Sequence, residues 1–281
     1  AARQGSPLVL GIADRACVAA SDVTALLDHT DRVIYLEDGD VALLLPPGPT
    51  IWHGGKRADR PVRKVDWEVE EVRLGGFAHY MLKEIYEQQS VFSTTVRALY
   101  AEPVPDVLKD ISGITLVACG TSYNASLLCQ YLVEEYCGIP VRAEIASEFR
   151  YRTPPGDDLV VGVTQSGETA DTLSALKKAR MHNHATLVIT NVLGSTATRV
   201  ADHTLYMRAG PEISVAATKS FVAELAVFFY IADVTSGGRL RQSILSGHEA
   251  IGEALLEDLS PAVDICKEAG SIFFVGRGPF F

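Results

Sequence analysis

The 281-residue chain has the composition of an ordinary globular protein, with 47% hydrophobic and 21% charged residues, and its length is typical of two domains. Its formal net charge of -10 at pH 7 argues against a nucleic-acid partner, because no basic stripe is available to neutralise backbone phosphates. The five cysteines are odd in number and form no C-x-x-C pair, so they do not resemble a disulfide framework or a metal site. Free cysteines of this kind favour a reducing, cytoplasmic compartment.

Short apolar runs occupy the first 45 residues, at 8–12, 33–36 and 41–45. The Asp38-Gly39 pair between the last two runs is typical of a hairpin, so these runs are predicted to pair as antiparallel strands. Residues 46–76 mix Pro and Gly with charged side chains. This composition predicts a domain boundary with a loosely structured linker.

From His79 onward, apolar residues recur at steps of three and four, which predicts a helix that packs on the next domain. Short β-branched runs follow, each closed by a small-residue loop and a helix: 114–118, 141–146, 159–164, 186–190 and 204–206. This alternation predicts a parallel sheet covered by helices on both faces. The run at 159–163 is apolar throughout, as expected of a central strand.

Two long helical patterns come next, at about 215–235 and 242–269. The first contains the most apolar segment, 221–232, which is far shorter than the roughly 20 residues that cross a bilayer, so it predicts a core helix and no membrane partner. The apolar run 272–275 is interpreted as the first strand of a second, similar domain. The chain opens without a signal segment, begins with Ala1 rather than Met, and stops just after a glycine loop at 276–279, so both ends are expected to be cut from a longer protein.

Two hydroxyl-rich loops, 119–124 and 164–169, follow the first and third strands of the predicted sheet. If the strand order is 2-1-3-4-5, they flank the crevice where open parallel sheets bind ligands. Each loop opens a helix, whose first N–H groups and positive dipole end favour an anion, and Gly120 and Gly167 would let the backbone approach it. The hydroxyl groups that could donate to phosphate oxygens belong to Thr121, Ser122, Ser166 and Thr169.

Helix capping is the alternative role for these residues, and it is the commonest use of Ser and Thr at helix starts. Two such loops at one predicted switch point favour the phosphate site. Nucleotide binding is disfavoured, because the first strand is not followed by G-x-G-x-x-G and the chain contains no G-x-x-x-x-G-K-[ST]. No metal and no cofactor are predicted.

At these two loops the chain resembles the glucosamine-6-phosphate synthase family, the isomerising glutamine:fructose-6-phosphate aminotransferases, and specifically their sugar isomerase (SIS) domain. The most specific match is Cys-Gly-Thr-Ser at 119–122 beside Gln-Ser-Gly-Glu-Thr-Ala-Asp-Thr at 165–172. Further similar segments lie at 1–9, 79–88, 144–152 and 212–219. The resemblance implies an α/β fold: a doubly wound, parallel five-stranded SIS sheet in flavodoxin-like order, preceded by a short β-rich remnant of the glutaminase domain.

The family combines an N-terminal glutaminase, which releases ammonia with a terminal cysteine, and two SIS domains that convert fructose 6-phosphate into glucosamine 6-phosphate. The resemblance implies that residues 1–45 end the glutaminase domain, 46–76 form the linker, 77–240 are the first SIS domain, and 241–281 are a connecting helix and the first strand of the second. Cys17 does not match the glutaminase nucleophile and is interpreted as a structural thiol. The family's catalytic Glu, His and lysines belong to the second SIS domain and C-terminal tail, so no catalytic residue is expected here.

Carried over residue by residue, the resemblance implies a sugar-phosphate site made of Cys119, Gly120, Thr121, Ser122, Thr164, Gln165, Ser166, Gly167, Thr169 and Val215. The expected ligands are fructose 6-phosphate and glucosamine 6-phosphate. Ala217 stands where the family has a Ser, so one sugar-contacting hydroxyl is lost. Glu168 and Lys219 are the local acid–base groups, but a Glu in the first helical turn usually complements the dipole and a lone Lys is usually solvated.

Three functions are compatible with this pattern. The first is the sugar-binding segment of an amidotransferase that makes glucosamine 6-phosphate from fructose 6-phosphate and glutamine. The second is a non-catalytic SIS module that senses a sugar phosphate and regulates a partner, and the third is an aldose–ketose isomerase without amine transfer. Residues 1–45 favour the first function, because they resemble a glutaminase end. SIS domains of the family pair, so the intact protein is expected to be a homodimer.

Overall fold

The computed structural model describes residues 1–5, 7–21, 23–26, 29–65, 74–152 and 156–280. The strands of this part are β1 (Val9–Ile12), β2 (Cys17–Ala20), β3 (Arg32–Tyr35), β4 (Asp40–Leu43), β5 (Thr50–His53), β6 (Lys56–Ala58), β7 (Arg63–Lys64), β8 (Ile114–Ala118), β9 (Val141–Ile145), β10 (Leu159–Val163), β11 (Thr186–Thr190) and β12 (His203–Tyr206). Its helices are α1 (Tyr80–Ala101), α2 (Thr121–Cys137), α3 (Ala146–Phe149), α4 (Ala170–Met181), α5 (Thr196–Val200), α6 (Lys219–Thr235), α7 (Arg241–Ala254) and α8 (Ser260–Cys266). Short 3₁₀ turns lie at Val23–Leu26, Asp106–Leu108 and Gly278–Phe280. None of the described helices combines the length and apolarity that a bilayer crossing requires.

The centre of the molecule is a five-stranded sheet with the order β12-β11-β10-β8-β9. All neighbouring strands in it run parallel. Numbered along the sheet's own chain order this is 2-1-3-4-5, so the predicted doubly wound, flavodoxin-like α/β fold is confirmed. Strand β10 is central and buried along its whole length, because helices cover both of its faces.

Helices on the two faces separate the sheet's alternating side chains into different cores. Leu116, Val161 and Ile189 pack with α1, α2 and α6 in the larger core. On the other face, Val160 packs with α3 and α4, and Val188 packs with α4 and α5. Successive residues of a strand point to opposite faces, so a strand covered on both sides is apolar along most of its length.

The N-terminal part is β-rich, as predicted, but the predicted hairpin around Asp38-Gly39 is wrong. Strand β3 pairs with β1 and β7, whereas β4 pairs with β5 in a separate three-stranded sheet. The reason lies in Arg3, whose N–H donates to the Asp40 carbonyl at 2.9 Å and whose carbonyl accepts from the Gly39 N–H at 2.9 Å. The turn is therefore bonded to the start of the chain, and β3 and β4 diverge into two sheets.

Residues 46–76, predicted as a loosely structured linker, contain strands β5 to β7. A partly buried ion pair stabilises this region, since Arg60 contacts both carboxylate oxygens of the fully buried Asp40, at 2.8 and 2.9 Å. The side chain of His53 also hydrogen-bonds Asp40, at 2.9 Å. Residues 66–73 of the predicted linker lie outside the described residues.

The C-terminal elements differ from the prediction in two ways. The helix predicted at 242–269 is divided into α7 and α8, because Pro261 stands in the first turn of α8, where its missing N–H and fixed φ favour a helix start. The strand predicted at 272–275 is not formed. No described strand pairs with these residues, and Phe273 and Phe274 are 87% and 94% exposed. A strand needs a neighbour for its backbone groups, so an apolar sequence alone does not produce one.

Candidate functional site

The two predicted ligand loops lie side by side at the carboxyl edge of the central sheet. Strands β8 and β10 are parallel neighbours, with Ala118 opposite Val163, so the loops 119–122 and 164–169 start next to each other. Helix α2 then runs along one face of the sheet and α4 along the other. This divergence of neighbouring loops is the geometry of a topological switch point.

Neither helix start at this edge is capped by the side chain of its N-cap residue. The N-cap of α2 is Gly120, with φ +59°, and the N-cap of α4 is Thr169, whose side chain makes no cap hydrogen bond within the described chain. No atom of the described residues lies within 4 Å of the position that a Gly120 Cβ would take, so the turn is open on that side. The capping alternative therefore fails for Thr169, and both helix starts suit an anion.

The second loop is held in shape by its own hydrogen bonds. The buried Thr164 hydroxyl bonds the Thr169 hydroxyl at 2.8 Å and accepts from the Gly167 N–H at 3.2 Å. The Ser166 hydroxyl accepts from the Glu168 N–H at 3.2 Å, a bond that leaves its own proton for another acceptor. The Gln165 carbonyl accepts from the Asn191 N–H at 3.0 Å, which ties the loop to the end of β11. The loop is thus preformed.

At Gly167, neighbouring protein atoms occupy the space that a side chain would need. The φ of Gly167 is +68°, and an added Cβ would overlap the hydroxyls of Ser195 and Thr190. Its carbonyl accepts from the Ala197 N–H at 2.9 Å. Gly167 therefore allows the loop to pack closely on the start of α5, and its role beside a ligand stays a prediction.

In the first loop, Cys119 and Ser122 point into different surroundings. Cys119 packs against the core that contains Val117 and Phe149, and burial, reinforced by the negative charge of Asp171, raises the pKa of its thiol, so it stays protonated at neutral pH. The Ser122 hydroxyl donates to Oε1 of Glu224 on α6, at 2.6 Å.

Glu224 was not identified as a site residue from the sequence, where it only interrupts an apolar run. It is 1% exposed, and burial raises its pKa to about 8, against the lowering effect of the Ser122 hydrogen bond. The charge of Glu212 raises it further. The signal that could have revealed it is the presence of a carboxylate inside the most apolar helix, because such groups are rarely buried without a role.

Val215 lies at the fully exposed tip of the segment between β12 and α6. Two carboxylates fix this segment. Glu84 of α1 accepts from the N–H groups of Ile213 and Ser214, at 2.6 and 3.1 Å, and also from the Ser214 hydroxyl. The carboxylate of Glu212 accepts from the N–H groups of Thr218 and Ser220, at 2.9 and 3.1 Å, and so occupies the start of α6.

The local acid–base candidates, Lys219 and Glu168, are both engaged in structural contacts. Lys219 is 3% exposed and its ammonium lies 2.6 Å from a Glu87 oxygen, so the expectation that it is solvated is wrong. The buried Glu168 accepts from the N–H of Thr196, the first residue of α5, at 2.7 Å, and lies 3.4 Å from the guanidinium of Arg3. It therefore complements the start of α5 and links the N-terminal sheets to this loop.

A cavity of about 430 Å³ adjoins the first loop. Thr121 and Asn124 of α2 line one side, and Ala217 lies on the lining contributed by the segment before α6. Residues 164–169 are not among the described residues that line it. Ala217, which was expected to lack a sugar-contacting hydroxyl, therefore lines a cavity beside the candidate site.

Comparison with known proteins gives the same assignment as the loop motifs. Residues 108–232 match the SIS domain family. Glutamine–fructose-6-phosphate aminotransferase (isomerizing) of Halobacterium salinarum is 41% identical over 98% of this chain and 48% of its own length. The enzyme of the same name from Methanothermobacter thermautotrophicus is 40% identical over 99% of this chain and 48% of its own length.

A solved structure supports the fold independently. The C-terminal domain of glucosamine-fructose-6-phosphate aminotransferase from Francisella tularensis is 37% identical, with a TM-score of 0.59 over 70% of this chain and 60% of that chain. The chain spans about half the length of the curated relatives it matches. The chain therefore contains a SIS domain at residues 108–232, and over nearly all of its residues it is homologous to isomerising glutamine–fructose-6-phosphate aminotransferases.

Proposed function

We propose that this chain is the sugar-phosphate-binding segment of an enzyme that converts fructose 6-phosphate and glutamine into glucosamine 6-phosphate and glutamate. The observation that carries this proposal is the meeting of two hydroxyl-lined helix starts, uncapped by their N-cap side chains, at one switch point of the sheet. Similarity to aminotransferases extends over 98% of the chain, including residues 1–45, which favours this function over a free-standing sugar-phosphate sensor.

In this proposal the phosphate lies between the starts of α2 and α4. N–H groups of both first turns would donate to its oxygens, and charge-assisted bonds of this kind are stronger than neutral ones. Thr121 and Ser166 would add hydroxyl donors, while Gln165 and Ser122 would contact the sugar. Cys119, Gly120, Thr164, Gly167 and Thr169 would hold the two turns in shape, and Val215 would border the sugar.

We further propose that the chain binds its ligand without turning it over. The conversion of a ketose into an aldose amine needs a base, an acid and an amine acceptor. Glu168 accepts a hydrogen bond from the Thr196 N–H and contacts Arg3, and Lys219 forms an ion pair with Glu87. Neither residue is therefore assigned a proton-transfer role. The remaining catalytic groups are assigned to parts of the enzyme outside this chain.

Domain limits, compartment and assembly complete the proposal. We assign residues 1–45 to the end of a glutaminase domain, 46–76 to the linker, 77–240 to the first SIS domain and 241–281 to the start of the second. All five cysteines are free, which supports a reducing cytoplasm. The intact protein is proposed to be a homodimer that binds neither nucleic acid nor membrane.

Calorimetric titration with fructose 6-phosphate and glucosamine 6-phosphate tests the binding proposal. The chain should bind, and Thr121→Val combined with Ser166→Ala should weaken binding about 100-fold, since two hydrogen bonds to a charged group are lost. The matched control is Thr50→Val with Ser90→Ala, the same chemical changes at positions outside the candidate site. Equal affinities of the two double variants would contradict the proposed site, and steady glucosamine 6-phosphate production by the chain alone would contradict the absence of turnover.

A further inference from the structure

The carboxyl group of Glu224 is buried but only half partnered. Its Oε1 accepts the Ser122 hydroxyl at 2.6 Å, while its Oε2 is buried and has no hydrogen-bond partner among the described residues. A buried ionised carboxylate normally has both oxygens satisfied or a cation nearby, and no cation pairs with Glu224 in the described part of the chain. This arrangement is better suited to a neutral carboxylic acid.

The protonation state of Glu224 determines what Ser122 can offer a ligand. A serine hydroxyl has one proton and can also accept hydrogen bonds. If Glu224 is ionised, the Ser122 proton points to the carboxylate, and only acceptor positions remain for the ligand. If Glu224 is protonated, it can donate to Ser122 Oγ, and the Ser122 proton is free to turn toward a phosphate or sugar oxygen.

We propose that Glu224 is a positioning residue for the phosphosugar site: as a neutral acid it donates to Ser122 Oγ and directs the Ser122 proton to the ligand, and on ionisation it withdraws that proton. The proton lost by Glu224 goes to solvent. This inference rests on the proposed function, because Ser122 contacts a ligand only if the sugar phosphate binds at this loop.

The surroundings of Glu224 favour its neutral form at neutral pH. Burial raises its pKa to about 8, the Ser122 hydrogen bond opposes the rise, and the negative charge of Glu212 adds to it. Other charged groups on α6 and on the elements that pack against it are engaged elsewhere or exposed to solvent. On α6 itself, Lys219 is paired with Glu87 and Asp233 is bonded to Tyr100. On the neighbouring elements the engaged groups are Glu84, bonded to Ile213; Lys83, paired with Glu87; Glu134, bonded to Val141; Arg241, stacked on Tyr100; His248, bonded to the Leu245 carbonyl; and Asp106, paired with Lys109. The others, Arg97, Glu135, Glu249 and Glu253, are exposed to solvent.

The test is calorimetric titration of the chain with fructose 6-phosphate from pH 7 to pH 9. Over this range the phosphate remains a dianion, since its second pKa is about 6. The sign follows from linkage: if only the protonated form of Glu224 binds well, affinity falls as pH rises through its pKa, by about tenfold between pH 7 and pH 9. Burial keeps the pKa of the nearby Cys119 thiol above its usual value, so that group adds little.

Glu224→Gln is the decisive variant, because its amide donates to Ser122 at every pH. It should bind as tightly as the unmodified chain at pH 7 and show no loss at pH 9. Ser122→Ala should bind more weakly at pH 7 and should also lose the pH dependence. Circular dichroism of each variant verifies folding, and if Glu224→Gln does not fold, the pH profile of Ser122→Ala decides the question.

The outcomes separate this inference from the proposed function. Absence of binding at every pH would overturn the proposed function itself. Binding by the unmodified chain that does not change with pH, or a pH dependence that persists in Glu224→Gln or Ser122→Ala, would overturn the role of Glu224 and leave the sugar-phosphate site standing.

Discussion

Two glycines of the candidate site share a positive φ but differ in what surrounds them. Gly120 faces open space, so its requirement for glycine is conformational. Gly167 lies against Ser195 and Thr190, so a side chain there would be excluded by both backbone conformation and packing.

Gly167→Ala is therefore expected to lower the free energy of unfolding by about 3 kcal/mol, the sum of left-handed strain and overpacking. The matched control is Gly138→Ala at the end of α2, where φ is +66° and no atom in the described part of the chain lies within 4 Å of the added carbon. The control should cost about 1 kcal/mol, the strain alone. Urea unfolding measures both, and equal losses would show that packing at Gly167 has no effect.

At the residue scale, the sequence indicated the hydroxyl-bearing loops but not the carboxylates that hold them. Thr121 and Ser166 belong to contiguous motifs, so their chemistry is visible locally. The partners of Glu84 are backbone groups more than a hundred positions away, at Ile213 and Ser214, and Glu224 meets Ser122 across a similar separation. Such pairs form only when α1 and α6 pack against other elements, and a local sequence pattern carries no information on that packing.

Among the elements near the site, the segment from 208 to 218 has no regular secondary structure and depends on Glu84 for its shape. Glu84→Ala removes the acceptor of two backbone N–H groups, at Ile213 and Ser214. Amide exchange of the peptide covering this segment should become about tenfold faster, because local opening then requires less free energy.

Hydrogen exchange followed by mass spectrometry measures this change. Ser90→Ala, at an exposed position on the same helix, is the control and should leave the exchange rate of the peptide unchanged. If Glu84→Ala also exchanges at the original rate, the segment is held by other contacts and the role given to Glu84 is wrong.

Elements were predicted well where a local pattern determines them. Strands β8 and β11 have the predicted limits, and β10 ends one residue earlier than predicted. All three are buried along their whole length and are composed mainly of apolar residues, which makes them recognisable in the sequence. The pairing of β4 was predicted wrongly, because the turn before β4 forms backbone hydrogen bonds with Arg3, a residue far away in the sequence. The run at 272–275 has a strand-like composition but no neighbour among the described strands.

At the scale of the whole molecule, large apolar side chains are exposed along its C-terminal part. They are Leu256, Leu259, Val263, Ile265, Ile272, Phe273, Phe274 and Val275. Exposed apolar surface of this kind promotes association, so we expect the chain to self-associate in solution.

Phe273→Asp combined with Phe274→Asp should shift the chain toward monomer in sedimentation velocity experiments, because two aromatic groups are replaced by charges. Glu268→Asp, which keeps the charge at another exposed position, should sediment like the unmodified chain. An unchanged distribution in the aromatic double variant would locate the association elsewhere on the surface.

The contact between Arg3 and Glu168 connects the N-terminal strands to the loop 164–169 of the central sheet. Glu168 stands between Ser166 and Thr169, in a turn whose shape is fixed by short internal bonds, and its oxygens reach both Arg3 and the start of α5. If a sugar phosphate binds at this loop as proposed, any shift of the loop would also reach Arg3 through Glu168, so the N-terminal strands would be coupled to a ligand that they do not contact.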